Sequence, residues 1–166
     1  MYNNIFRLSS LILLILSLTA CGGSSDGDSS SSSGNNCGTV VDIGSSSMVN
    51  GMLEAGDCMV SDLDPTSGDT SFADEYRLTL SSPTTMTITM RSNTLDSFLL
   101  LLGRSTTCAS GCTLAQSMFI TSDDDSGVGT TGFDSQIIIA LNAGSYMIVA
   151  NSIFPGTGSY TLETSF

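Results

Sequence analysis

The chain has 166 residues and a formal net charge of −12, and its only cations are four arginines. A chain this acidic does not bind nucleic acid, because affinity for the phosphate backbone comes from lysine and arginine. The absence of histidine excludes Ser-His-Asp and Cys-His catalysis, and the absence of lysine excludes Schiff-base chemistry. The charge fits a soluble surface, cation binding, or both.

An apolar run near the N-terminus ends in Leu18-Thr19-Ala20-Cys21. A short polar start with one cation, Arg7, precedes the apolar segment 11–18, and this order is typical of a secretory signal peptide. The segment is shorter than the roughly 20 apolar residues that cross a membrane. We therefore predict that residues 1–20 are a lipoprotein signal peptide that is removed, and that Cys21 then carries a covalent lipid.

The predicted lipid determines the compartment. One acyl chain anchors a protein only marginally, at about 0.8 kcal/mol per buried CH₂, whereas the diacylglycerol and palmitate-type chains of a lipoprotein anchor it firmly. The alternative is a secreted protein with an unmodified cysteine beside its cleavage site. Gly22 follows the cysteine where an aspartate would favour retention in the inner membrane. We expect a lipid-anchored protein of the cell envelope, in the outer membrane if the cell has two membranes.

The segment 22–36 contains only Gly, Ser, Asp and Asn. It has no apolar side chain to bury, so we predict that residues 21–36 are the lipidated cysteine and a disordered Ser/Gly tether. A flexible coil of this length reaches roughly 20 Å. The remaining residues, 37–166, have the size of one domain and are numerous enough to bury a core.

With Cys21 lipidated, an even number of cysteines remains, which predicts two disulfide bonds with three open connectivities. Cys108 and Cys112 are close enough in sequence to close a short loop, so we pair them with each other and pair Cys37 with Cys58. A zinc site is the alternative, but the spacings fit it poorly and histidine is absent. A redox pair is a weaker alternative, because no helix follows the C-x3-C spacing.

The domain alternates apolar and polar residues with a period of two. Tyr76 and two leucines alternate with polar residues in 76–81, and Ile88 and two methionines alternate with threonines and Arg91 in 85–91. This pattern is typical of strands with one buried face. Continuous apolar runs predict strands that are buried on both faces or cross between sheets. These runs are 98–102 and 137–141, and the segments 146–150 and 160–162 complete the series.

Turn-forming residues separate these strands. A Ser-Ser-Pro-Thr segment, 81–84, lies between the first two strands, and the segments 142–145 and 155–158 lie at hairpin spacing. Short strands with regular turns predict a β-sandwich or a barrel. Tyr76 and Tyr160 fit core positions, and Phe154 beside a proline fits an exposed loop.

Six motifs follow one another through the domain. They are Asp74-Glu75-Tyr76-Arg77-Leu78, Asp96-Ser97-Phe98-Leu99, Asp123-Asp124-Asp125, Asp134-Ser135-Gln136-Ile137, Ala143-Gly144-Ser145-Tyr146 and Gly156-Thr157-Gly158-Ser159-Tyr160-Thr161-Leu162. In this order they resemble the bacterial pre-peptidase C-terminal domain family, over roughly Val49 to Phe166. The resemblance implies an all-β fold, a jelly-roll-like antiparallel β-sandwich without catalytic activity. Some members of the family bind calcium, collagen or polysaccharide.

The aspartates 123–125 form the strongest candidate site. Three adjacent carboxylates repel one another unless they are solvated, protonated or bound to a cation, and calcium accepts about six to eight oxygen ligands in flexible geometry. We predict one calcium ion bound by Asp123, Asp125 and Asp134, with Asp96 or Asp124 assisting. The alternative is that these aspartates form turns and cap strands through nearby backbone N–H groups.

We interpret the chain as a non-catalytic binding or adhesion module of the cell envelope whose ligand is a surface protein or a polysaccharide. The alternative is an accessory or structural subunit that holds a separately encoded exported peptidase or surface complex. Paired carboxylates support glycoside hydrolysis in other proteins, but no pattern in this sequence places two of them across a cleft. Sugar rings stack on exposed aromatic side chains, and the chain contains no tryptophan. Phe154 is therefore the candidate aromatic residue for a sugar ligand.

Overall fold

The computed structural model describes residues 40–64, 66–103, 118–129 and 132–166, all within the unit Gly34–Phe166. The predicted signal peptide and tether lie outside these residues, and so do four of the five cysteines. Among the described residues, no helix is long and apolar enough to cross a membrane.

Within the described residues the chain forms ten strands and one four-residue helix, α1 (Val60–Leu63). Every strand predicted from the apolar pattern is present, because period-two alternation lets an extended segment bury one face. The strands are β1 (Val41–Ile43), β2 (Ser47–Leu53), β3 (Cys58–Met59), β4 (Phe72–Leu80), β5 (Thr84–Arg91), β6 (Ser97–Gly103), β7 (Met118–Asp123), β8 (Ser135–Leu141), β9 (Gly144–Ser152) and β10 (Gly158–Ser165).

The strands form two sheets, which we call sheet A and sheet B. Sheet A has the order β1-β4-β9-β6-β7, with β3 also paired to β4, and sheet B has the order β2-β10-β5-β8. The pairings between described strands are antiparallel except for β1 with β4, which is parallel. The predicted all-β sandwich of antiparallel sheets is therefore confirmed.

The inward faces of the two sheets form the main core. Tyr76 and Leu78 of β4 meet Met86 and Ile88 of β5 in one buried cluster, and each of the four is at most 5 % exposed. Burying one such side chain contributes about 1.5–3 kcal/mol. The alternation read from the sequence therefore identifies the side chains that hold the sheets together.

A second, smaller core lies on the outer face of sheet A. Val149 of β9 and Leu102 of β6 pack there with Val60 and Leu63 of α1. Cys58 is buried in the same cluster and is disulfide-bonded, and its partner cysteine lies outside the described residues. The pairing of the four cysteines stays a prediction.

All three predicted turns connect strands of different sheets. Residues 81–83 join β4 to β5, residues 142–143 join β8 to β9, and residues 153–157 join β9 to β10. The predicted turns at 142–145 and 155–158 are present, but each joins strands of different sheets, so neither closes a hairpin. A local turn signal specifies where the chain reverses, but the sheet that receives the next strand depends on distant partners.

The two continuous apolar runs occupy different positions. Strand β6 lies between β9 and β7, and it places Leu99 in the main core and Leu102 in the second core. Strand β8 forms one edge of sheet B, where Ile137 is buried but Ile138 is 65 % exposed. The prediction of burial on both faces is therefore confirmed for β6. It is wrong for β8, which buries one face against the core and exposes the other.

Close packing between β2 and β10 depends on a glycine. Gly51 is directly opposite Tyr160 in the strand register, and a Cβ atom at Gly51 would overlap the phenol ring of Tyr160. A glycine inside a strand often marks such a close approach. It leaves room for the tyrosine ring to lie in the core.

Candidate functional site

Three connections meet at one end of the sandwich, which we call the loop end. They follow β5, β7 and β9, and their described residues are 92–96, 124–129, 132–134 and 153–157. The amide of Ser97 donates to the carbonyl oxygen of Phe133 at 3.0 Å, and the amide of Ile153 donates to the carbonyl oxygen of Asp96 at 3.0 Å. These bonds fasten two connections to the start of β6, so the loop end is one connected surface.

Asp123, the last residue of β7, holds the loop end together. Its carboxylate accepts hydrogen bonds from the amide of Ser126 at 3.1 Å and from the amide of Gln136 at 2.7 Å. Since Gln136 belongs to β8, this carboxylate ties sheet A to sheet B. The contacts are those of the turn-forming role that was the alternative to calcium.

Asp134 is buried beneath the connection that leads into β8. Its carboxylate accepts a hydrogen bond from the amide of Ser92 at 3.3 Å, and its carbonyl oxygen accepts one from the amide of Gly127 at 2.7 Å. A Cβ atom at Gly127 or Gly129 would overlap Asp134. The two glycines therefore let the backbone close over this aspartate.

Asp96, Asp124 and Asp125 form a separate group of carboxylates at the loop end. Partial burial raises the pKa of Asp96, and the negative charges of Asp125 and Asp124 raise it further. Among the described residues, no three acidic, cysteine or histidine side chains converge closely enough to hold a metal ion. The five predicted ligands thus fall into two groups, since Asp123 and Asp134 bind loop backbone, whereas the charges of Asp124 and Asp125 act on Asp96. Calcium binding stays a prediction.

Two open cavities adjoin at the loop end. One has a volume of about 450 Å³ and is lined by residues 92–96 and Phe133. The other has a volume of about 470 Å³, and Arg91 and Asp134 lie in its wall. Phe133 is 52 % exposed and Phe154 is 66 % exposed, so the predicted exposure of Phe154 is confirmed. The surface combines concave regions, exposed rings and carboxylates.

Two serine hydroxyls near the loop end were not predicted. Ser97 begins β6 and Ser135 begins β8; both are fully buried, and neither hydroxyl has a hydrogen-bond partner among the described residues. A buried hydroxyl without a partner costs roughly 1–3 kcal/mol. The sequence signal that could have found them is the Asp-Ser pair that repeats at the start of both strands.

The fold is shared with solved structures. No family model matches the chain, and no curated protein matches it with significance. The pre-peptidase C-terminal domain of a collagenase from Bacillus anthracis aligns with a TM-score of 0.51 and 14 % identity, over 76 % of this chain and 94 % of that chain. CorA, a surface-associated copper-binding protein of Methylomicrobium album BG8, aligns with a TM-score of 0.50 and 12 % identity, over 76 % and 98 %. At these identities the similarity shows the fold, which is the one that the sequence motifs predict.

A polar centre formed by Tyr76, Tyr160 and Asp74 links the two sheets inside the core. The hydroxyls of Tyr76 in β4 and Tyr160 in β10 lie 2.6 Å apart, and the Tyr160 hydroxyl donates to the carboxylate of Asp74. Because a phenol carries one proton, Tyr76 is the donor to Tyr160. The core positions of both tyrosines are confirmed. The role of Asp74 was missed, although it lies two residues before Tyr76 and so on the same face of β4.

The charge of this centre depends on Asp74. Burial raises the pKa of Asp74; the hydrogen bond from Tyr160 lowers it, and the negative charges of Asp57 and Glu54 raise it further. Burial also raises the pKa of Tyr76 and of Tyr160 above the ordinary phenol value. The two phenols therefore stay protonated at neutral pH, and Asp74 is the member of the centre that titrates in acid.

Replacing Asp74 with asparagine should remove this titration. A carboxyl group with a raised folded-state pKa contributes stability below its ordinary pKa of 3.8, and this contribution is lost as the pH rises through the folded-state pKa. We expect the free energy of unfolding of the unaltered chain, relative to that of Asp74→Asn, to increase as the pH falls from neutral towards 3.8. Urea denaturation of both chains across this range measures it.

Asp64→Asn is the control with the opposite sign. The hydroxyl and the amide of Thr66 lower the pKa of Asp64, so its contribution is present above the ordinary pKa and is lost as the pH falls through the folded-state pKa. The unaltered chain should therefore lose stability relative to Asp64→Asn in acid. A pH-independent difference between the unaltered chain and Asp74→Asn would contradict the role given to Asp74.

Proposed function

We propose that this chain is a non-catalytic ligand-binding module of the cell envelope and that the loop end is its contact surface. The observation that supports this most is the pair of adjoining cavities, one of which is lined by the half-exposed side chain of Phe133. Ligand sites are concave, and they combine apolar lining with a few polar groups that set orientation. The loop end has these features on a rigid scaffold of two packed sheets.

The chemistry of the loop end favours a polysaccharide ligand. Phe133 and Phe154 offer exposed aromatic faces on which a sugar ring can stack, and the carboxylates of Asp96, Asp124 and Asp125 can accept hydrogen bonds from sugar hydroxyls. Hydrogen bonds to a charged acceptor are the stronger kind. A phosphorylated or otherwise anionic ligand is disfavoured by the same carboxylates.

A glycan array and isolated cell-wall polysaccharide test this assignment with the full chain. We expect binding by the unaltered chain and at least a tenfold loss in Phe133→Ala and Phe154→Ala, since a lost stacking contact of about 1.4 kcal/mol corresponds to a factor of ten. Phe119→Ala is the matched control, because Phe119 is 62 % exposed but lies on β7 outside the loop end. Equal loss in the control, or no binding to any probe, would contradict the proposal.

We further propose that a covalent lipid on Cys21 holds the module at the membrane and that residues 22–36 form its tether. The support is the order of a charged start, an apolar segment and small residues before the cysteine. A tether without apolar residues gives the loop end access to ligands away from the membrane surface.

Metabolic labelling with palmitate tests the anchor. We expect label in the unaltered chain and none in Cys21→Ser, because the thiol is the attachment point of the lipid. Cys58→Ser is the matched control, since Cys58 is buried in the domain and its loss should leave the label in place. Label that persists in Cys21→Ser refutes the anchor.

Calcium binding is the last part of the proposal, with Asp96, Asp124 and Asp125 as the carboxylate ligands. It is supported by the raised pKa of Asp96, which partial burial and the two neighbouring charges produce and which a bound cation would relieve. Asp123 and Asp134 keep their bonds to loop backbone and hold the connection in place. Binding requires the loop that carries Asp124 and Asp125 to close on Asp96.

Heat unfolding in millimolar calcium and in chelator tests the ion. A ligand that binds only the folded state raises the midpoint of unfolding, so we expect calcium to raise it in the unaltered chain and to raise it less in Asp124→Asn. Asp64→Asn should respond as the unaltered chain does, because Asp64 is bonded to Thr66 in another loop. A midpoint that calcium leaves unchanged in the unaltered chain rules out the site.

A further inference from the structure

Gln136 of β8 is held through both its backbone and its side chain. Its backbone amide donates to the carboxylate of Asp123 at 2.7 Å and so points away from β5. Its side-chain amide donates through Nε2 to the hydroxyl of Thr89 on β5 at 3.0 Å. Thr89 and Gln136 are directly opposite each other in the strand register. They therefore form a non-hydrogen-bonded pair of the ladder, the kind in which side chains are closest and Cα atoms lie about 4.5 Å apart.

The Thr89 side chain is shielded from water although it lies on the outer face of sheet B. Its neighbours in β5, Ile88 and Met90, belong to the main core, and successive side chains of a strand point to opposite faces. Thr89 is nevertheless only 2 % exposed. Side chains of the neighbouring strands must therefore cover its hydroxyl.

Glu163 of β10 lies on the other side of Thr89. The two are directly opposite in the register, and Arg91 donates a hydrogen bond to the Glu163 carboxylate at 2.8 Å. Opposed residues of neighbouring strands have Cβ atoms about 4.5–5.5 Å apart, so the long glutamate side chain can reach the hydroxyl. Glu163, Thr89 and Gln136 thus form one row across sheet B, in which a hydroxyl lies between a carboxylate and a carboxamide.

We propose that the Thr89 hydroxyl attacks the side-chain amide of Gln136 and forms an ester that cross-links β5 to β8. Oγ1 of Thr89 bonds to Cδ of Gln136 while the Glu163 carboxylate accepts the hydroxyl proton. The Cδ–Nε2 bond then breaks, and the amide nitrogen takes this proton and leaves as ammonia. The step consumes no other reactant. The ester places Oγ1, Cδ and Cγ between the two Cβ atoms, which matches the separation of about 4.5–5.5 Å in an opposed pair.

Three physical effects favour this reaction. The strand register holds the hydroxyl beside the amide, which makes the attack intramolecular and removes most of its entropic cost. A neighbouring carboxylate acts as general base for the hydroxyl and as general acid for the leaving nitrogen. The low exposure of Thr89 keeps out the water that would hydrolyse the ester.

The cross-link would secure an edge of sheet B near the loop end. Strand β8 is at the end of the strand order of that sheet, where β5 is its neighbour. Thr89 and Gln136 are 47 positions apart in the chain, and a covalent bond between distant residues restricts the unfolded chain. The bond would also fix the start of β8, which directly follows the connection that carries Phe133 and Asp134.

Trypsin digestion of the full chain and mass spectrometry test the ester. Cleavage after the arginines places Thr89 in peptide 78–91 and Gln136 in peptide 105–166. After reduction of disulfides, we expect these two peptides to be joined, with a combined mass lower by one ammonia molecule. Mild alkali should separate them, because it hydrolyses esters and leaves peptide bonds intact. Separate peptides in the untreated digest of the unaltered chain, or joined peptides that survive alkali, overturn the proposal.

Two threonines of β5 provide a matched pair of variants. Thr89→Val keeps the shape of the side chain but removes the nucleophile, so the peptides should be separate. Thr87→Val is the control, because Thr87 is opposite Ile138, which carries no amide, and the peptides should stay joined. Thr89→Ser keeps a hydroxyl and should retain the bond. Joined peptides in Thr89→Val overturn the proposal.

Glu163→Gln tests the proton transfer. Loss of a general base should slow the cross-linking of newly made chain by about a hundredfold or more, as measured by pulse labelling and digestion. Asp42→Asn is the control, because it breaks the ion pair with Arg77 on sheet A and should leave the rate unchanged. An unaltered rate in Glu163→Gln, or an equal loss in both variants, overturns the role of Glu163. These measurements need no ligand, so their failure leaves the glycan-binding test unaffected.

Discussion

The hydrogen bonds from Tyr76 to Tyr160 and from Tyr160 to Asp74 cross the interior from sheet A to sheet B. A buried phenol hydroxyl must find a partner, since leaving it unpaired costs roughly 1–3 kcal/mol. The sheets therefore have to oppose each other so that the two hydroxyls meet. Gly51 makes this possible, because any side chain there would occupy the place of the Tyr160 ring. The rest of the sandwich follows from this alignment, including the end at which three connections gather.

At the loop end the aspartates divide into structural and exposed groups. The carboxylates of Asp123 and Asp134 accept hydrogen bonds from backbone amides, and the bond that Asp123 accepts from Gln136 joins the two sheets. The connections that they hold in place carry the rings and the remaining carboxylates. Loops held by such hydrogen bonds lose less conformational entropy when they bind a ligand than loops without them.

Several strands and core residues of this protein could be predicted from the sequence alone. Alternating and continuous apolar runs predicted strands, and the alternation identified Tyr76 and Tyr160 as core residues. This works because successive side chains of a strand point to opposite faces of the sheet. The edge position of β8, the crossings between sheets and the hydrogen bond from the Gln136 amide to Asp123 could not be predicted from the sequence. Tyr160 finds its partner 84 residues away along the chain, and the place of β8 depends on which strands compete for the same neighbour. Local sequence thus determined six of the ten described strands and the buried face of those that alternate. Only the tertiary structure decided which strands are neighbours, because that depends on long-range pairing that no local pattern encodes.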